Sequence, residues 1–165
     1  MIDFDTATDN DRERFTEHYP FEGDLTLQIL KGHLLVEEVL REIFDLLLPH
    51  PKALVGNKGA SFDCHQIICL VESIAPNSQA MPWVWNSAKK LNNIRNDLAH
   101  QLNPKGLTHK VDGLIKYVMK NTPELKGASH ELDIPEDNDL FIVIMAICNC
   151  LSALKGIIVH HASRA

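Results

Sequence analysis

The sequence predicts an all-α fold: a single-domain bundle of about five helices. Apolar residues recur at i, i+3, i+4 and i+7 in several long runs, the signature of helices with one buried face. Prolines and glycines, eight of each, cluster between those runs and punctuate them. A chain of 165 residues, 45% hydrophobic and 23% charged, is long enough to bury one real core. Collagen, low-complexity and repeat classes are excluded, because neither composition nor period fits them. The expected division is an acidic N-terminal arm or short helix over 1–23, then the bundle over 24–165.

Residues 1–23 carry Phe15, Tyr19 and Phe21 around Pro20 in an acidic setting. They predict a short helix over about 9–18, or an arm that packs on a neighbour. Asp24 has the residue type of an N-cap, and a first long helix is expected from there to about Leu48, where Pro49 and Pro51 stop it. Val36, Val39, Leu40, Ile43 and Leu47 form its stripe, and Glu37 can pair with Arg41 one turn on. His33 reads as a packed or surface histidine. A loop rich in Pro, Gly and Asn follows over 49–61, then a second helix over 62–75 ended by Pro76.

A third helix opens at about Pro82, with Trp83 and Trp85 near its start. These indoles are core anchors, or one of them is a platform for an unstacked base. Leu107, Val111, Leu114, Ile115 and Val118 mark a fourth helix, closed by residues 121–123. A polar connection over 120–137 leads to a last helix capped within 137–139. That helix is apolar on every side over 140–148, as suits the central helix of a bundle. A membrane anchor is the competing reading; a span needs about 20 apolar residues, and Asn149, Ser152 and Lys155 interrupt this one. His160 and His161 complement the dipole at its end better than they make a metal site.

Charge is unevenly spread. The net charge of −6 argues against nucleic-acid binding by the whole surface. Residues 1–24 hold eight acidic and two basic side chains, and 124–139 hold six acidic against Lys126. Between Trp85 and Lys116 the balance reverses, with Lys89, Lys90, Arg95, Lys105, Lys110 and Lys116 against Asp97 and Asp112. This segment is either a local positive patch for a phosphate backbone or an ordinary solvated helix face.

Cys64, Cys69, Cys148 and Cys150 lie in apolar helical stretches and match no zinc spacing, so buried free thiols in a reducing cytoplasm are expected, with no metal and no cofactor. No signal peptide is visible, since Asp3 and Asp5 interrupt the N-terminus, and the whole chain is expected to be the mature one. Metalloprotease, phosphate-loop, nucleophile-elbow and helix-turn-helix signatures are absent from the sequence.

The chemistry-bearing stretch is Ile94-Arg95-Asn96-Asp97-Leu98-Ala99-His100, on the third long helix. At about 100° per residue, Val84, Ala88, Leu91, Ile94, Leu98, Ala99 and Leu102 share one arc, and Asn92, Asn93, Asn96 and His100 share another. Arg95 falls inside the apolar arc. A guanidinium there either snorkels to the core's edge or is held by a carboxylate or phosphate, because an unpaired buried charge costs several kcal/mol. His100 lies about 140° round from Arg95, so one straight helix does not aim both at one phosphate. Either the helix breaks near His100, helped by Asn103, Pro104 and Gly106, or the pair works with a second copy across a dimer interface.

At these residues the chain resembles the HEPN superfamily, whose motif is an arginine followed four to six residues later by histidine. Arg95-Asn96-Asp97-Leu98-Ala99-His100 fits it, with the polar residue the family favours after the arginine. Residues 32–40 are similar to the family's first long helix, and the order of elements extends the resemblance over most of 24–163. The resemblance implies a HEPN-like homodimer in which two motifs form one cleft. It also implies a cytoplasmic, metal-independent endoribonuclease, a toxin or phage-defence effector whose partners are RNA and a cognate antitoxin or regulatory protein, with no membrane.

In that reading Arg95 grips the scissile phosphate, His100 is the general acid and base, and Asn96 positions one of them or the phosphate. Lys89, Lys90 and Lys105 would line the RNA path. Glu37 and Glu38 would orient Arg95 or His100 from the facing helix; otherwise they are solvated. The alternative function is a non-catalytic HEPN-like module that binds a nucleotide or a protein partner as a regulator.

Overall fold

The computed structural model describes residues 4–54, 61–101, 104–125 and 138–162. Six α-helices lie among them, and no strand: α1 Phe4–His18, α2 Leu25–Leu47, α3 Cys64–Ile74, α4 Pro82–His100, α5 Leu107–Asn121 and α6 Asp139–Ala162. Leu102, Asn103 and residues 126–137 of the long connection, Asp137 included, fall outside the described residues.

Local chemistry sets the helix ends. The Asp24 carboxylate accepts from the Leu27 N–H at 2.8 Å to open α2, which ends where Leu48 turns extended before Pro49. Asp63 and Gln66 form a reciprocal capping box at the start of α3. Pro82 occupies the first turn of α4, where its missing N–H costs nothing. Gly106 precedes α5 at φ 75°, a left-handed conformation that glycine enters without penalty.

The core lies around α6, which packs against α1, α2, α4 and α5. Its buried residues run from Leu140 to Ile158 on all sides, as the sequence predicts for a central helix. It has the length and hydropathy of a membrane span, yet its surface is already largely covered by the other helices. Lys155, which interrupts the apolar run, is sealed inside by partners from two other helices. Its ammonium reaches Asp11 of α1 at 2.6 Å and Glu42 of α2 at 2.7 Å, and Ser152 donates to Asp11 at 2.6 Å. Arg14 closes the network onto Asp11 and Glu42.

The N-terminal segment is a helix longer than residues 9–18, and it packs inside its own bundle. Phe15 and Tyr19 are buried and meet Phe141 of α6, with ring centroids 5.7 and 5.5 Å away.

At Gly32 the helices α2 and α6 approach so closely that a Cβ would stand 2.4 Å from Cδ1 and 3.1 Å from Cγ2 of the fully buried Ile144. Gly32→Ala is therefore expected to destabilise the protein by about 1–3 kcal/mol, despite alanine's better helix propensity. The urea midpoint measures this, and an unchanged midpoint would show that Ile144 yields freely.

Candidate functional site

The motif helix α4 runs unbroken to His100, and Gln101 leaves it in extended conformation. The break therefore comes only after the histidine. Arg95 and Asn96 are half-buried and face a polar cleft of about 430 Å³, whereas His100 is exposed and does not line it. A volume of this size admits a nucleotide-sized group. Within one chain, then, the arginine and the histidine of the motif diverge, as the helix geometry requires.

Three elements build the cleft. From α2 come His33, Glu37 and Arg41; from the start of α3 come Asp63, Cys64 and His65, preceded by Ser61 and Phe62; from α4 come Asn92, Arg95 and Asn96. Asn92, Arg95 and Asn96 are related by i, i+3 and i+4 and share one helix face. Sequence periodicity puts Asn92 on the outer polar arc, and here the structure corrects it: Asn92 is only 4% exposed, because α2 covers it. Its Oδ1 lies 3.0 Å from His33 Nε2 in a buried hydrogen bond between α2 and α4.

Arg95 has no carboxylate partner among the described residues. Its guanidinium meets Asn96 Oδ1 at 3.2 Å, leaving most of its donors for something in the cleft. Glu37 shares the cleft but serves other groups: it accepts from Arg41 at 2.6 Å and stands 3.6 Å from His33 Nδ1. Glu38 points away from the cleft toward Arg14, 3.7 Å distant, in a groove between α1 and α2. The proposed orienting role thus has a place in the cleft for Glu37 and none for Glu38.

The lysines differ in availability. Lys89 is tied to Glu72 at 2.5 Å, and Lys110 to Asp97 at 2.5 Å. Lys90 is exposed, with its ammonium 5.4 Å above the Tyr117 ring, and Lys105 is exposed beyond the motif helix. Trp85 is a core anchor, 1% exposed, whose indole N–H donates to the Ser78 carbonyl at 2.7 Å. Trp83 is half-buried against the core.

His33 is the cleft residue that periodicity hides. It is 2% exposed, and its Nδ1 is buried without a hydrogen-bond partner. Burial pulls its pKa below the ordinary histidine value; the Asn92 bond and Glu37 oppose this in part, and Arg95 and Arg41 add to it. The ring is therefore neutral at pH 7. Its pKa in the unfolded chain is the higher one, so its contribution to stability is full above about 6.5 and is lost as pH falls from there through the lower folded-state value.

Burial, with Glu37 next in weight, pushes the Cys64 thiol up to about 12. All four cysteines are free; Cys148 is buried and the other three are half-buried. Only tertiary packing unites His33, Glu37 and Cys64. Their one legible trace in sequence is the i, i+4 spacing of His33 and Glu37. Compared with known proteins, the chain matches no family model, no curated protein and no solved structure.

Proposed function

We propose that this protein is a metal-independent endoribonuclease of the HEPN type, a toxin or defence effector acting on RNA in the cytoplasm as a homodimer. The observation that carries the reading is Arg95: a half-buried guanidinium without a carboxylate partner among the described residues, opening on a cleft large enough for a nucleotide. Such a group binds a phosphate bidentately and stabilises the charge that builds on it during transfer.

RNA supplies its own nucleophile, the 2′-hydroxyl, so bond-making needs proton transfer and charge stabilisation and no metal. His100 takes the 2′-hydroxyl proton or gives one to the leaving 5′-oxygen. Attack of the 2′-oxygen on phosphorus expels the 5′-oxygen and leaves a 2′,3′-cyclic phosphate. Because His100 lies outside the Arg95 cleft of its own chain, the second copy brings its histidine to the phosphate. Exposed Lys90 and Lys105 steer the backbone. Asn96, hydrogen-bonded to Arg95, fixes the guanidinium plane.

The test is cleavage of a mixed RNA pool in EDTA, with 3′ ends analysed for cyclic phosphate. Wild type is expected to cleave, and His100→Ala to lose roughly 10²–10⁴-fold, the usual contribution of a general acid or base. Equal background signal from both would favour the second reading, a non-catalytic module in which Arg95 holds a nucleotide or a partner's anionic group.

A further inference from the structure

We infer that His33, Glu37 and Cys64 form a binding site for a divalent cation of the zinc class. One donor atom from each, a ring nitrogen of His33, a carboxylate oxygen of Glu37 and Sγ of Cys64, lies within 4.8 Å of the others, and His33 Nδ1 is the nitrogen 3.6 Å from Glu37. Donors on a tetrahedral zinc stand about 3.3–3.8 Å apart, so closing this set takes a movement of roughly 1 Å. Imidazole, carboxylate and thiolate together suit a borderline-soft ion better than magnesium or calcium, which favour oxygen.

The orientation of His33 points to the ligand. Asn92 Oδ1 can only accept, so the proton sits on Nε2, and the neutral ring's lone pair is on Nδ1. That lone pair is buried, unpartnered and 3.6 Å from Glu37 Oε2, itself an acceptor. Two acceptors facing each other call for a cation between them. Cys64, the third donor, decides for a metal. A metal-bound imidazole usually donates its other ring N–H to an oxygen acceptor, most often a carboxylate, backbone carbonyl or water, and here the Asn92 amide oxygen takes that place.

The site spans α2 and the first residue of α3, so an ion there would pin α3 to the bundle at the edge of the Arg95 cleft. Binding places a dication in the cleft and releases the Cys64 thiol proton to solvent. The cleft gains one positive charge beside the place where the ribonuclease reading puts a phosphate. The site stands independently of that reading, which is tested in EDTA on Arg95 and His100.

The test is native mass spectrometry of the full chain with added zinc, and cobalt substitution followed by its thiolate charge-transfer absorption. Wild type is expected to hold one ion per chain and to show the thiolate band. Cys64→Ser abolishes the band, Glu37→Gln weakens binding, and Asn92→Ala weakens it roughly 10–100-fold through the histidine. Cys69→Ser leaves all signals unchanged. Circular dichroism shows that each variant is folded; Cys64→Ser serves where Asn92→Ala does not fold. A folded wild type that holds no zinc, or equal binding by wild type, Cys64→Ser and Glu37→Gln, would overturn the assignment.

Discussion

Mixing two inactive variants, Arg95→Ala and His100→Ala, is expected to restore about a quarter of wild-type RNA cleavage after subunit exchange. The expectation follows from α4, an unbroken helix that turns Arg95 into the cleft and leaves His100 exposed at its end. If each site takes its arginine from one chain and its histidine from the other, a mixed dimer contains one intact site and one with neither group. Random exchange makes about half of all dimers mixed, hence the quarter. Alone, Arg95→Ala is expected to lose roughly 10²–10³-fold, as removal of a charge-stabilising donor does. Arg95→Lys recovers little, because a point charge replaces the planar fork. No recovery on mixing, with both variants folded and exchanging, would place the site within one chain and remove the composite cleft.

Asp11→Ala is expected to cost on the order of 3 kcal/mol of stability, a fall of roughly 6–12 °C in Tm for a chain of this size. Asp11 and Lys155 have side chains only 5% and 8% exposed, and their bond joins α1 to the central helix. Removing the carboxylate leaves a buried ammonium with Glu42 alone and orphans the Ser152 hydroxyl. Adding Lys155→Met to Asp11→Ala is expected to recover much of the loss, since an apolar side chain of similar length needs no partner. A double variant no more stable than the single one would show that the loss comes from α1 packing rather than the stranded charge.

The same network predicts acid sensitivity. Burial alone would raise the pKa of Glu42, but hydrogen bonds and charge from Arg14 and Lys155 outweigh it and hold it below the ordinary value. A carboxylate depressed in the folded state stabilises above its unfolded pKa, and that contribution disappears as pH falls through the folded one. Wild type should therefore lose stability below about pH 4 more steeply than Glu42→Gln, as read by melting temperature against pH.

Several helix ends were legible because the deciding interactions are local, although α1 begins at Phe4, before the expected residue 9. Asp24 and Pro82 open α2 and α4 through contacts within three or four residues, and the prolines after α2 and α3 stop them by chain geometry, whereas the Asp63 capping box at the start of α3 was not read from the sequence. The stripe of α2 and the all-round apolarity of α6 likewise state which faces must leave water. Spacing on α4 was enough to separate Arg95 from His100, since rotation per residue is a property of any helix.

Long-range placement was not legible. Asn92 reads as an outer residue until α2 lies over it, and Lys155 reads as a break in an apolar run until Asp11 and Glu42 arrive from other helices. Cys64 fits no spacing motif because its companions, His33 and Glu37, stand about thirty residues earlier on α2. Burial, hydrogen-bond partnership and the meeting of donors depend on which faces pack together, and a linear pattern records only each face. By itself, the sequence determined the helices, their apolar sides and the divergence of Arg95 from His100. Only the tertiary structure decided that Arg95, without a carboxylate partner among the described residues, opens on a cleft, and that a buried histidine with an unpartnered nitrogen stands beside it.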